Sequence, residues 1–298
     1  MKQLLFIYNT HAGKGRARLH LADMQDAFAA AGWTITAHPT RGAGDAAELA
    51  RTVGAQYDRI ICSGGDGTLH EVVDGLLDLP PEARPQVGYV PAGTTNDFAK
   101  NLKLPRGMAA MAEVAAAGVP RPVDVGKFND GCFIYVAAFG AFTDVSYNTP
   151  QQFKNLFGHL AYVLEAGSRL GTIRPYPLTV EHDGGVIQGD FAYGMVSNTV
   201  SVGGIKGGAG RQVKLDDGLF EVALVRQPKN PIQFQAMARA LLQGTSDEEG
   251  GVVSFQTGQL KVSCPEELPW TLDGEYGGAP KTACILNEQG AVTVVYGK

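Results

Sequence analysis

Nowhere in this 298-residue chain does an apolar run approach the roughly 20 residues that a membrane-spanning helix requires. The run over residues 4–8 is also too short for the core of a signal peptide. Cysteine is scarce. Cys62, Cys132, Cys264 and Cys284 stand far apart, without a Cys-x-x-Cys or a histidine at metal-ligand spacing. That disfavours disulfides and zinc, suits small thiols in a reducing compartment, and makes a cytoplasmic protein the expectation. Basic charge is short as well: Lys and Arg number 25 against 30 Asp and Glu, a formal net charge of −5, which disfavours nucleic acid as a partner. Attraction to an anionic membrane would therefore have to come from a local basic patch. Internal repeats and low-complexity segments are absent, and 44% hydrophobic with 18% charged residues excludes a disordered chain. Glycine is abundant at 39 residues, which implies tight turns and close backbone approach to a ligand.

The chain exceeds one ordinary hydrophobic core, so two domains are expected, and its texture changes near residue 125. Before that point strands and helices alternate. The apolar run 4–8 reads as a buried parallel strand. Leu21, Met24 and Phe28 recur at helical spacing, and Gly32 ends that helix. A strand over 33–37, a helix over 45–53 that Asp45 is able to cap, a strand over 60–62, a helix over 69–77 and a strand over 87–90 follow. This order predicts a three-layer, doubly wound parallel sheet, whose ligands bind beyond the carboxyl ends of the strands. After residue 126 the runs 133–139, 178–181, 186–196, 219–225, 260–263, 284–286 and 292–296 are β-rich. Turn signals such as Asp183-Gly184-Gly185 and Gln289-Gly290 separate them, as in an antiparallel sandwich or barrel. Helical stretches over 153–170 and 232–242 interrupt that pattern. The first carries Phe153, Phe157, Leu160 and Leu164 at core-packing spacing; an alternative makes it a lipid entrance with Lys154, Arg169 and Arg174 facing anionic headgroups. The domains expected are thus 1–125, α/β, and 126–298, a β-sandwich, with the last few residues able to return to the first.

The chemistry is concentrated in glycine-rich blocks. Ser63-Gly64-Gly65-Asp66-Gly67-Thr68 lies between a strand and a helix. Its glycines let backbone N–H groups approach an anion, the helix offers its positive end to phosphate, and Asp66 brings a carboxylate for Mg²⁺. Pro91-Ala92-Gly93-Thr94-Thr95-Asn96-Asp97-Phe98-Ala99 follows another strand. Gly93 and Thr94 offer donors to phosphate, whereas Asn96 or Asp97 suit a helix cap. Two familiar fingerprints fail. A P-loop ending in Gly13-Lys14 needs Ser or Thr where Gly15 stands and lacks its earlier glycine, and His70 stands where a dinucleotide fingerprint needs glycine.

These two blocks resemble the catalytic domain of the bacterial soluble diacylglycerol kinases and related lipid kinases. Asn9-Thr10-His11-Ala12-Gly13-Lys14-Gly15 is similar to the family's first nucleotide loop, with Thr10 in place of its proline. Pro122-Val123-Asp124-Val125-Gly126, Leu215-Asp216-Asp217-Gly218 and Asp273-Gly274-Glu275 match in family order, so the resemblance covers nearly the whole chain. It implies an ATP-dependent lipid kinase with its active site in the cleft between an α/β nucleotide domain and a β-sandwich lipid domain. ATP would be held by Asn9, Thr10, His11, Ala12, Gly13, Thr40, Gly64, Gly65, Asp66, Gly67, Thr68, Leu69, His70 and Thr94. Asp66, Asp97 and Asp124 would form an acidic network around Mg²⁺ and the phosphates, and Glu275 would be the general base. A second, structural Mg²⁺ would take the Asp217 carboxylate and the carbonyls of Lys214 and Leu219; a plain Asp-Gly turn explains the same residues.

Diacylglycerol is the lipid the resemblance favours, with transient peripheral contact at the inner membrane face and a homodimer left open. A phosphatidylglycerol-like lipid, a sphingoid base or a polyprenol alcohol fits the same residues. The rival readings are an NAD kinase or other small-molecule kinase of the same superfamily, since both NAD kinases and phosphofructokinases carry the Gly-Gly-Asp-Gly block, and a non-catalytic lipid-binding regulatory module. Retention of Asp66 and Glu275 opposes the last.

Overall fold

A computed structural model describes residues 2–140, 174–199, 201–202, 205–206, 213–243, 245–247 and 249–297. The helix expected over 153–170, with Lys154 and Arg169, lies outside them. The chain divides into two compact units, Met1–Asp124 with Gly290–Lys298, and Val125–Gln289.

The first unit runs β1 (Lys2–Tyr8), α1 (Arg16–Leu19), α2 (Leu21–Ala30), β2 (Trp33–Pro39), α3 (Asp45–Val53), β3 (Arg59–Gly64), α4 (Asp66–Leu77), β4 (Gln86–Pro91), α5 (Met108–Ala117) and β5 (Val119–Phe128), which crosses into the second unit. The strands lie parallel in the order β4, β3, β1, β2. Every residue of β3 is buried, as expected of a central strand covered on both faces. On one face Leu4, Phe6 and Ile61 pack against Met24 and Phe28 of α2 and Met108, Met111 and Ala115 of α5. Helices α3 and α4 pack together so closely that a side chain at Gly75 would collide with the Ala47 carbonyl oxygen at 2.1 Å.

One buried charge ties a helix to the sheet. Arg59 donates to the carbonyl oxygens of Ala115 (2.9 Å) and Ala116 (2.6 Å) at the end of α5 and stacks on the Trp33 ring. Burial pulls its pKa down to about 10 and leaves it charged at neutral pH. Asp45 does not cap α3. Gly44 holds the cap position, and the Asp45 carboxylate turns back to Arg41, which holds it well below the usual carboxylate range. Glu71 of α4 supplies the missing cap, accepting from the amides of Gly44 (2.9 Å) and Ala46 (3.2 Å).

The second unit continues with β6 (Gly131–Phe133), β7 (Val136–Gly140), β8 (Tyr176–His182), β9 (Gly185–Ser197), β10 (Ser201–Val202), β11 (Ile205–Lys206), β12 (Phe220–Arg226), α6 (Pro231–Gln243), β13 (Val252–Thr257), β14 (Gln259–Ser263), β15 (Trp270–Leu272), β16 (Glu275–Tyr276) and β17 (Thr282–Tyr296). Its pairing is antiparallel, and β9 carries it: the first half pairs with β8, the second with β7 and β12. Trp270 is fully buried, with Phe139 edge-on at 4.8 Å and Phe128 at 5.0 Å. Phe133, Phe191 and Phe220 belong to the same core, and each buried aromatic contributes about 1.5–3 kcal/mol.

Two expectations are corrected here. The run 133–139 is not one strand; pairing breaks at Ile134 and Tyr135, for a reason given below. Gln289-Gly290 is not a turn between two strands: β17 runs through it, pairing antiparallel with β14 from Thr282 to Leu286 and parallel with β4 at Val294. Gly290 adopts φ +61 inside that strand and marks the passage back to the first unit.

Candidate active site

The carboxyl ends of the parallel strands gather the glycine-rich loops of the first unit. Asn9 folds the first loop on itself, its Oδ1 accepting from the amides of His11 (2.9 Å) and Ala12 (3.2 Å). Its own amide donates to the Ser63 carbonyl oxygen at 2.8 Å, which anchors the loop beside the end of β3. Gly13, at φ +55, lies so close to the next loop that a Cβ there would fall 1.8 Å from the Ala92 carbonyl oxygen. Thr40 joins from β2, its amide donating to Tyr8 at 2.9 Å.

The second and third loops are bonded to each other. The Gly64 carbonyl oxygen accepts from Ala92 (2.7 Å) and Gly93 (3.1 Å), and a Cβ on Gly93 would lie 2.6 Å from the Gly65 Cα. Gly65, in extended conformation, is the N-cap of α4 and brings no side-chain cap to the amides of the first turn. An anion at that twelve-residue helix end meets both the amides and the positive end of the dipole. Gly67, Thr68 and His70 fall in the first turns of α4, and Thr94 is exposed on the facing loop. Leu69 is buried at 1% exposure, and its amide donates to the Gly65 carbonyl oxygen at 3.3 Å.

The acidic residues divide. Asp66 stands in the first turn of α4, and its Oδ2 accepts from the Asp97 amide at 3.0 Å. Asp97 is buried and paired with Lys100. Asp124 is also fully buried, but its Oδ1 accepts from the Gly290 amide at 2.7 Å, where β17 re-enters the first unit. Among the described residues no three His, Cys, Asp or Glu side chains group as a ready-made metal site. Beneath Asp66 lies Tyr89, wholly buried in β4, with its hydroxyl 3.3 Å from both the Gly64 carbonyl oxygen and Asn96 Oδ1. Burial and then the Asp66 charge push its ionisation well up, so it stays a neutral phenol.

In the second unit Glu275 is exposed on β16, opposite Leu272 in the β15–β16 hairpin. At 214–219 the Asp217 Oδ1 accepts from the Leu219 amide at 3.2 Å, and Gly218 takes φ +78. Lys214 is exposed beside this turn. Arg174 pairs with Glu266 and lies 5.8 Å from the Tyr176 ring, so its charge is partly answered within the unit.

Residues 3–128 match the model of the diacylglycerol kinase catalytic domain. A diacylglycerol kinase of Bacillus subtilis (strain 168) is 36% identical over 93% of this chain and 91% of its own length. The chain belongs to the diacylglycerol kinase family. One from Staphylococcus aureus (strain MRSA252) is 34% identical over 93% of this chain and 87% of its own length. A solved diacylglycerol kinase structure from Bacillus anthracis str. Sterne superposes with a TM-score of 0.77 at 26% identity, covering 99% of this chain and 97% of that one. A candidate diacylglycerol kinase of the same strain reaches a TM-score of 0.83 at 28% identity, over 99% and 95% of the two chains.

The protein is therefore a lipid kinase with the family's α/β unit followed by antiparallel strands. Kinase chemistry in this family calls for ATP, a lipid acceptor and a divalent metal. The residues present fit such a metal. Mg²⁺ in kinase sites is held by one or two carboxylates plus phosphate and water oxygens, which matches the single carboxylate of Asp66 in the first turn of α4 better than a preformed cage would. Among the described residues no helix is long and apolar enough to cross a membrane. Sequence reasoning overlooked two site residues. Tyr89 hides in an apolar strand, where a tyrosine reads as core. Lys100 had a usable signal, a cation three residues after Asp97.

Proposed function

We propose that this diacylglycerol kinase family member transfers the γ-phosphoryl group of ATP to the free hydroxyl of diacylglycerol, forming phosphatidic acid. The observation that carries the reading is the cradle of three glycine loops, the second bonded to each of the others, at the start of α4, which has no side-chain cap and carries Asp66 in its first turn. Diacylglycerol, and not another lipid alcohol, is favoured by the names of relatives that match over nearly their whole lengths.

In this reading residues 1–125, completed by the last few residues, hold the nucleotide, and residues 126–298 receive the lipid, with the reaction in the cleft between them. The loops at Asn9–Gly13, Gly64–His70 and Thr94, with Thr40, bind ATP, the α4 amides facing its phosphates. Asp66 coordinates the catalytic Mg²⁺, with Asp97 and Asp124 arranging the surrounding water; when bound, that ion neutralises charge developing on the phosphates. Glu275 accepts the hydroxyl proton as the lipid oxygen bonds to the γ-phosphorus, while the bond to the β–γ bridging oxygen breaks and ADP leaves. A second Mg²⁺ binds at Asp217 with the carbonyls of Lys214 and Leu219. The enzyme meets its substrate by transient contact with the cytoplasmic face of the membrane.

The test is a phosphorylation assay with purified protein, Mg²⁺ and γ-labelled ATP over micelles of diacylglycerol, a phosphatidylglycerol-like lipid, a sphingoid base and a polyprenol, with NAD and sugars as controls. Label is expected in diacylglycerol alone. Label in NAD, or in another lipid in preference to diacylglycerol, refutes the assignment.

A further inference from the structure

The hairpin that presents Glu275 is locked from beneath by its own turn. Asp273 and Gly274 form a two-residue loop with φ +51 and +91, the left-handed pair of a type I′ turn, and Leu272 faces Glu275 across it. A type I′ turn asks only that Asp tolerate the left-handed region. This one does more. Its side chain is buried at 5% exposure and points away from the hairpin into the 134–136 segment, between β6 and β7. Oδ2 accepts from the Ile134 amide at 2.7 Å, and Oδ1 accepts from Tyr135 (3.0 Å) and Val136 (3.1 Å). The main chain of Asp273 completes the lock: its amide donates to the Val136 carbonyl oxygen at 2.8 Å, and its carbonyl oxygen accepts from the Tyr135 hydroxyl at 3.1 Å. These bonds explain why the run 133–139 breaks, since its amides at 134–136 turn toward a carboxylate.

We propose that Asp273 is the positioning residue for Glu275: its carboxylate fixes the hairpin tip against the start of β7 and is not itself the proton acceptor. The inference rests on Glu275 as general base. Both Asp273 oxygens lie on backbone amides inside the unit, whereas the Glu275 side chain is exposed two residues on. β15 pairs with β7 through Leu272 and Ala137, so the tip is tied on one side by this short ladder and from below by Asp273. The tip belongs to the second unit and the glycine loops to the first, so displacement of Glu275 is expected to show in turnover and not in ATP affinity. A misplacement of about 1 Å at a reacting group lowers turnover by about 10²-fold.

Four variants assayed with diacylglycerol micelles and ATP decide the matter: Glu275→Gln, Asp273→Asn, the double variant, and Gly274→Ala. Asp273→Asn keeps the shape but brings an N–H₂ against amide donors, so kcat is expected to fall about 10²-fold with the KM for ATP unchanged. Glu275→Gln is expected to lower kcat by roughly 10²–10⁴-fold, and the double variant to be no slower than Glu275→Gln alone, because Asp273 acts only through that residue. Gly274→Ala leaves every acceptor in place and meets no neighbouring atom within 4 Å, yet strains a φ of +91, so it should lower kcat in the same pattern. A double variant slowed by the product of the single effects overturns the proposal and leaves Glu275 as the base. So does an Asp273→Asn enzyme that turns over normally, or, should that variant not fold, a Gly274→Ala enzyme that does. Normal turnover by Glu275→Gln refutes the base itself, and the positioning role with it.

Discussion

Replacing Gly65 and Gly93 by alanine, one at a time, separates what the glycine cradle does for the protein from what the proposed role would have it do for the nucleotide. A methyl on Gly65 has a single protein neighbour within 4 Å, the Gly93 Cα at an ordinary 3.6 Å, and its backbone (φ −85, ψ −176) suits any residue. Reduced freedom of the unfolded chain favours alanine by about 0.4–1 kcal/mol, while alanine is a poorer N-cap than glycine by a similar amount. The two nearly cancel, so Tm should move by no more than about 2–4 °C. A methyl on Gly93 is another matter. It would sit 2.6 Å from the Gly65 Cα and 2.7 Å from Asn96 Oδ1, and the first of these is backbone. Overpacking of this kind costs about 1–3 kcal/mol and can be relieved only by parting the two loops. If that displacement is felt by the phosphates, ATP affinity falls by roughly 5- to 150-fold. Titration calorimetry with ATP and thermal melts of both variants give the readout. Gly93→Ala should lose both stability and affinity. Gly65→Ala should lose at least about tenfold in affinity at near-normal Tm, because its methyl covers the amides offered to phosphate. Wild-type ATP binding by Gly65→Ala would refute the cradle as the phosphate site, whatever its melting temperature.

Two other perturbations probe the acids. Asp66→Asn should abolish lipid phosphorylation while melting as wild type does, since the neutral amide can still accept from the Asp97 amide but no longer answers a divalent ion; a near-normal rate would remove Asp66 from the chemistry. Asp217→Ala should lower Tm and activity together if a second Mg²⁺ binds at 214–219, and wild-type Tm should then rise with Mg²⁺ and fall with chelator; a wild-type Tm indifferent to both would leave the Leu219 contact as the whole role of Asp217.

The glycine loops were legible in the sequence because each follows an apolar strand, and a parallel sheet delivers all such loops to one edge. What joins them was not. Nothing local to Asn9 shows that its amide meets Ser63, and nothing local to Gly93 shows that it faces Gly65; those contacts bridge residues 54 and 28 positions apart and exist only once the strand order is known. The sequence pattern starts this helix at Leu69, whereas α4 begins at Asp66: glycines lower helix propensity, but here Gly65 and Gly67 serve the cap and the first turn. In the second unit the short β15 and the strand β13 escaped notice, and Asp273-Gly274-Glu275 was readable as a turn without any hint that its carboxylate splits a distant strand. Tyr89 shows the same limit. Burial is predictable for an apolar strand, but the group that a buried hydroxyl will meet is set by the neighbouring loop.

The return of the chain through β17 bears on where a functional boundary can be drawn. The catalytic-domain match ends at residue 128, yet the unit it describes is completed by Gly290–Lys298. Val294 adds a parallel pair beside Val87 of β4, the strand that leads into Gly93 and Thr94. Arg84, just before β4, donates to the Ala291 carbonyl oxygen at 2.8 Å, and the Gly297 amide donates to Leu102 at 2.9 Å beyond the Asp97 loop. Asp124 takes the Gly290 amide at the crossing itself. Residues 290–297 therefore brace both flanks of the third glycine loop and give Asp124 a partner in the structure. A fragment cut at residue 125 would keep every glycine of the cradle and lose these braces. An isolated first unit is consequently a poor substitute for the full chain, and Asp124 keeps its Gly290 partner only with the C-terminal strand in place.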